Sequence, residues 1–258
     1  MSNPHLPAEI LDHVVHDLCD TEDALRICCP ISKSWTPRTR KYLFADVKLQ
    51  TRENINSRRK MFPDPSTSPG YYTKTLSISF FHSAVAANTE AGGWIGGFTR
   101  VVRFVVDGHG PFTTSLAPFY GFSPVKSLHV DVLAIPPQFF DLILSFPLLE
   151  DLAVRSYRLP ITIWDRSNKL LTLVQPSSSP VFSGTLKLSM GTGMEYIARK
   201  LLSLPGGIHF RELALTWVVE EDGLFAGELV EGCSRTLESL EIIRDTYGTP
   251  IQHLSPHR

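Results

Sequence analysis

Cysteine is scarce in this chain, and the placement of the four excludes more than their number does. Cys28 and Cys29 are adjacent, Cys19 precedes them and Cys233 lies far downstream, so neither a disulfide framework nor a C-x-x-C site can be drawn. They read as buried or idle thiols in a reducing compartment. An excess of one charge is lacking too: 25 Lys and Arg against 26 Asp and Glu leave −1 over 258 residues. A nucleic-acid binder usually carries a basic excess to release counterions from phosphate, so no nucleic-acid partner is expected. A disordered chain is also excluded, with 43% hydrophobic and 20% charged residues. No long apolar run is present. The longest uncharged stretches, 108–125 and 170–186, are broken by Pro, Gly and Ser, too polar to span a bilayer. Met1 to His5 has no basic segment followed by apolar residues, so no signal peptide is expected. Together these absences predict a cytoplasmic or nuclear protein without membrane contact.

What is present begins with a short helical unit. After Leu6 and Pro7, the residues Ile10, Leu11, Val14, Val15 and Leu18 recur at helical spacing, with Glu9, Asp12, His13, His16 and Asp17 opposite. Asp20 or Thr21 caps a second helix whose apolar face is Ala24, Leu25 and Cys28, and Pro30 ends it. A third runs from Ile31 through Trp35 towards Phe44, with Pro37 expected to kink or split it. Three helices in so few residues enclose little core, so such a unit needs a partner or a neighbouring domain to cover its remaining apolar surface.

The order Leu6-Pro7-x-Glu9-Ile10, Leu18, Leu25-x-x-Cys28, Ile31-Ser32-Lys33-x-Trp35 and Leu43-Phe44 resembles the F-box of fungal F-box proteins. The resemblance covers residues 6–44, and Pro30 before Ile31 departs from the usual pattern. It implies the substrate receptor of an SCF-type cullin-RING ubiquitin ligase, docked on a Skp-type adaptor and through it on a cullin scaffold. By position the adaptor-binding residues are then Leu6, Pro7, Ile10, Val14, Leu18, Leu25, Ile31 and Trp35. Apolar anchors of this kind, tryptophan among them, also suit helix-in-groove docking on physical grounds. The competing reading is that the same stripe is the core of a helical cap on the larger domain.

The remainder repeats itself. Alternations of the form L-x-L occur at Val47, Leu76, Val102, Leu128, Leu152, Leu186, Leu213 and Leu240, separated by 29, 26, 26, 24, 34, 27 and 27 residues. A period in the twenties with one strand per unit is the mark of a leucine-rich-repeat solenoid. Helices are expected at Gln138–Leu144, Met194–Leu204 and Leu224–Cys233, the last with Leu224, Phe225 and Leu229 inward. No asparagine ladder can be placed, so the units are degenerate. The fold class is therefore α/β: a three-helix F-box over 1–45, then an irregular solenoid of parallel strands with outer helices over 46–258. Three stretches interrupt the period and are expected as loops: a mobile 52–72, a glycine-rich 84–97 and a Pro/Ser-rich 175–184.

A flat α/β domain with a ligand loop is the main competing fold, but Gly92 to Gly97 and Gly191 to Gly193 lack G-x-G-x-x-G spacing and read as turns. Gly121-Phe122-Ser123-Pro124-Val125 breaks the nucleophile-elbow motif at its last glycine. His13 and His16 lack a nearby third metal ligand, Asp107 to Gly110 reads as a turn, and Arg58-Arg59-Lys60 reads as a solvated run. No catalytic residue, metal or cofactor is expected. A protein substrate would be read by side chains alternating with the buried L-x-L positions, with Arg103, His129, Asp131, Arg155, Lys187, Thr216 and Glu241 as candidates. After Leu240 and Ile242 no further helix is expected, which leaves the last repeat without a polar cap. The reading is a non-catalytic ubiquitin-ligase adaptor for an unknown protein substrate; the alternative is a repeat scaffold with no ubiquitin role.

Overall fold

The computed structural model describes residues 7–65, 69–79, 89–108, 116–135, 138–158, 180, 182–191, 194–204, 206–218, 220 and 222–244. Its first elements are α1 (Ala8–Asp17), α2 (Glu22–Cys28) and α3 (Trp35–Leu43). Inside this bundle Leu11, Val15, Leu25 and Thr39 are buried. Pro37 makes no kink. The helix starts at Trp35, so Pro37 falls in the first turn, where an N–H has no helical partner to lose. Residues 31–34, expected in that helix, stay outside it.

Among the described residues eight strands follow in one sheet: β1 (Asp46–Leu49), β2 (Thr75–Ser79), β3 (Arg103–Gly108), β4 (Ser127–Ala134), β5 (Asp151–Arg158), β6 (Thr185–Met190), β7 (Glu212–Trp217) and β8 (Ser239–Arg244). They lie in sequence order and every neighbouring pair is parallel. A parallel neighbour requires a crossover, so each turn of chain contributes one strand. This is a solenoid-like α/β architecture. The expected helices appear as α6 (Phe139–Leu144), α7 (Met194–Leu202) and α8 (Asp222–Gly232).

Register follows the apolar alternation. Leu76 lies beside Phe104, then Leu128, Leu152, Leu186, Leu213 and Leu240 in successive strands. The third strand is offset by two residues from the expected frame: Phe104 and Val106 are the inward pair, and Val102 precedes the strand. Phe104 faces inward in either frame. Its ring packs against Phe119 at 5.1 Å, Phe122 at 5.4 Å and Phe146 at 6.3 Å, in the middle of a continuous core running from Val47 to Cys233. Leu11, Val15 and Leu25 are not part of that core, so the bundle and the sheet each bury an apolar interior of their own.

One backbone device marks the repeat. The carbonyls of Ala45, Lys74, Val102, Lys126, Gly184 and Arg211 each accept from two successive N–H groups at the start of the next unit, as Lys74 does from Val102 and Arg103. Among the described residues no asparagine side chain takes part. The junction from β5 to β6, where the longest insertion falls, departs from this pattern: Glu150 O accepts from Gly184 N, and the Asp151 carboxylate accepts from Thr185 N at 2.8 Å. A side chain at Gly184 would collide with Asp151 and the Glu150 carbonyl, so the close approach requires glycine there.

Two expected loops contain helices. Residues 52–72 hold α4 (Arg52–Met61), whose N-cap Thr51 accepts from Asn54 N at 3.1 Å. Glu53 in the first turn and Arg58, Arg59 and Lys60 in the last complement the helix dipole, and Ile55 anchors it in the core. Thr51→Ala is expected to cost about 1 kcal/mol by loss of the cap, read from the midpoint of chemical denaturation. Within 84–97 lies α5 (Thr89–Gly96), helical despite its glycines because Trp94 and Ile95 are buried. The Trp94 indole N–H also donates to Phe62 O at 2.8 Å. Of 175–184, only Pro180 and 182–184 are described; Phe182 is buried against Phe210 at 5.1 Å. Asp107 and Gly108, read as part of a turn, are the last residues of β3, while 109–110 lie outside the described residues. In α8 the buried stripe is Asp222, Ala226 and Leu229. Leu224, expected inward, stands about 200° from Asp222 at 100° per residue and is 74% exposed.

Candidate protein-interaction site

Two surfaces hold the residues singled out above. On α1, burial of Leu11 and Val15 turns the adjacent stripe outward, leaving Ile10 47% and Val14 37% exposed. Beyond α2, Ile31 is 59% exposed, and Pro7 is exposed too. Leu18 and Trp35 are partly buried. Leu25 is 1% exposed and serves the bundle interior, where no partner reaches it without unfolding the helices. Leu6 lies outside the described residues. Ile27, which the sequence did not single out, is 71% exposed on α2 because Leu25 takes the inward position two residues earlier. Four aliphatic side chains thus stand in water on one small bundle, and burying the exposed part of each against a partner is worth about 0.5–2 kcal/mol.

A salt bridge ties the bundle together at its polar side: Arg38 Nε donates to Asp12 at 2.6 Å. The bundle meets the sheet domain through Phe44 edge-on to Phe62 at 5.2 Å and through Ala45 O, which accepts from Lys74 N and Thr75 N.

The second surface is the sheet face opposite the core. One ladder row runs Ser77, Val105, His129, Ala153, Lys187, Ala214 and Glu241, and the next runs Ser79, Asp107, Asp131, Arg155, Ser189, Thr216 and Ile243. His129, Asp131 and Arg155 are brought together on β4 and β5, with Arg155 and Asp131 in an ion pair at 3.8 Å. Arg103 is not in either row: the two-residue offset of β3 places it level with Thr75 and Ser127. Lys187, between Ala153 and Ala214, and Glu241, on the last strand, stand apart from that trio.

Burial pushes the His129 imidazole below its usual range, with Arg103 and Arg155 acting in the same direction and Asp131 and Asp107 opposing. Protonation is then easier in the unfolded chain. The neutral ring's contribution to stability is full above pH 6.5, its ordinary value, and is lost as the pH falls below it. Between pH 7 and pH 5 the unfolding temperature of His129→Gln is expected to fall less than that of the parent chain. Burial also raises the thiol of Cys233, which keeps it protonated and unreactive at neutral pH.

On β8, Leu240 and Ile242 occupy inward positions beside the buried Leu213 and Leu215, yet both are exposed, because nothing among the described residues covers them. Among the described residues no group of three His, Cys, Asp or Glu side chains is placed to hold a metal. No described helix is long and apolar enough to cross a membrane. The fold and surfaces define a solenoid-like α/β protein carrying an apolar-surfaced helical bundle. Comparison with protein-family models, with curated proteins and with solved structures finds no match to this chain.

Proposed function

We propose that the chain is a non-catalytic substrate adaptor of an SCF-type cullin-RING ubiquitin ligase, with residues 1–45 acting as an F-box that docks on a Skp-type adaptor. Residues 46–258 act as a degenerate leucine-rich-repeat domain that holds a protein substrate. One observation carries this reading: Ile10, Val14 and Ile31, three positions that the F-box resemblance assigns to docking, are solvent-exposed aliphatics on a bundle whose own interior is filled by Leu11, Val15 and Leu25. A helical cap would instead turn its apolar surplus onto the sheet. The separate burial of the two interiors also suits a docking module joined to a receptor. Within the repeat domain, the His129, Asp131 and Arg155 trio is the part of the open face with convergent polar groups. The test is co-expression of the full chain with a purified-tag Skp-type adaptor. A stoichiometric complex surviving size exclusion is the expected result, and elution of a folded chain apart from the adaptor contradicts it.

A further inference from the structure

The junction between bundle and sheet holds a cleft of about 460 Å³ whose chemistry differs from both surfaces above. Four cations line it: Arg38 and Lys41 from α3, Lys74 before β2 and Arg100 before β3. Among the described residues its single acid is Asp12, already engaged by Arg38 at 2.6 Å. Lys41, Lys74 and Arg100 have no carboxylate within ion-pair distance among the described residues. In a chain of net charge −1, three uncompensated cations converging on one cavity are not a consequence of composition. Their mutual repulsion is relieved by an anion between them.

Two tyrosines organise the cleft. The Arg100 guanidinium lies 3.7 Å over the Tyr71 ring centroid, and Tyr72 meets Tyr71 edge-on at 5.1 Å. The ring holds the guanidinium in place, and no carboxylate among the described residues pairs with it, which suits bidentate recognition of an oxyanion. Lys41 and Lys74 supply compact charges from the other walls.

We propose that this cleft binds a phosphoryl group. Three free cations match a dianion better than a single carboxylate. The cavity falls in the size range of small-ligand sites, so it also accommodates what the phosphoryl group is attached to. The site stands apart from the adaptor-docking reading, since Ile10, Val14 and Ile31 do not line it.

Calorimetric titration of the full chain at about 0.15 M ionic strength tests this, using inorganic pyrophosphate and a short phosphoserine peptide with its unphosphorylated form as control. Saturable binding of one phosphorylated probe is expected, weakened at least about tenfold in Lys74→Glu and in Arg100→Glu. Both positions are exposed, so both variants should fold, Arg100→Glu losing only its contact over the Tyr71 ring. Arg235→Glu, an exposed charge reversal remote from the cleft in sequence and absent from its lining, should bind as the parent does. Tighter binding of the phosphopeptide assigns a modified protein as the source; tighter binding of pyrophosphate assigns a free phosphorylated molecule. Failure of both probes to bind, or equal weakening by Arg235→Glu, overturns the proposal.

Discussion

Phe104→Ala is expected to lower the unfolding free energy by about 3–5 kcal/mol, the usual cost of emptying a fully buried phenylalanine site. Phe104 is fully buried, and its ring contacts three others that reach it from separate connections: Phe119 and Phe122 before β4, and Phe146 before β5. Neighbours held by their own backbone pairings relax little into a cavity, which places the cost towards the upper end of that range. Leu224→Ala removes an exposed side chain and should change stability by no more than about 0.5 kcal/mol. Chemical denaturation of the two variants beside the parent reads both values. A loss below about 1 kcal/mol for Phe104→Ala would show that the ring cluster is not the centre of the core.

The second large effect concerns binding. Ile10→Asp combined with Ile31→Asp should weaken association with a Skp-type adaptor by about a hundredfold or more. Each substitution replaces an apolar anchor by a charge that must be desolvated, and anchors at such positions carry about 2 kcal/mol or more apiece. Both side chains are exposed in the free chain, so folding should be nearly unaffected. Leu25→Asp makes a useful contrast. It buries a charge inside the bundle, so binding should fall together with the helical signal from residues 8–43. Unchanged affinity in the double variant would remove the docking surface from α1 and residue 31.

The eight strands were legible because a period-two apolar pattern recurring every twenty-odd residues leaves each strand little choice of face. The third was framed two residues early. Val101-Val102-Arg103-Phe104-Val105-Val106 offers the pair Val102 and Phe104 and the pair Phe104 and Val106 alike, and the pairing with β2 and β4 takes the second. That same offset moves Arg103 out of the rows that carry His129 and Asp131. α4 was hidden because it buries one aliphatic, Ile55, and periodicity needs several. Its signals were the Thr51 cap and the acid-to-base order of its charges. α5 was hidden by its glycines, whose low helix propensity is overridden by burial of Trp94 and Ile95.

At the bundle, the sequence placed three helices but not the division of their apolar residues. A stripe that fills an interior and one left on the surface have the same spacing, so Leu25 and Ile10 looked alike and Ile27 went unmarked. The cationic cleft was illegible for a different reason. Its residues come from positions 12 to 100, half of them inside the F-box-like segment at places that carry none of the resemblance, and only the seating of the bundle against the start of the sheet assembles them.

Hydrogen exchange of the full chain, alone and with a Skp-type adaptor, tests the central claim most directly. The account predicts slowed exchange confined to α1, α2 and the segment from residue 29 to 35, with the sheet unchanged. Protection that appears on the open sheet face or at β8 while the bundle stays as it was would contradict it.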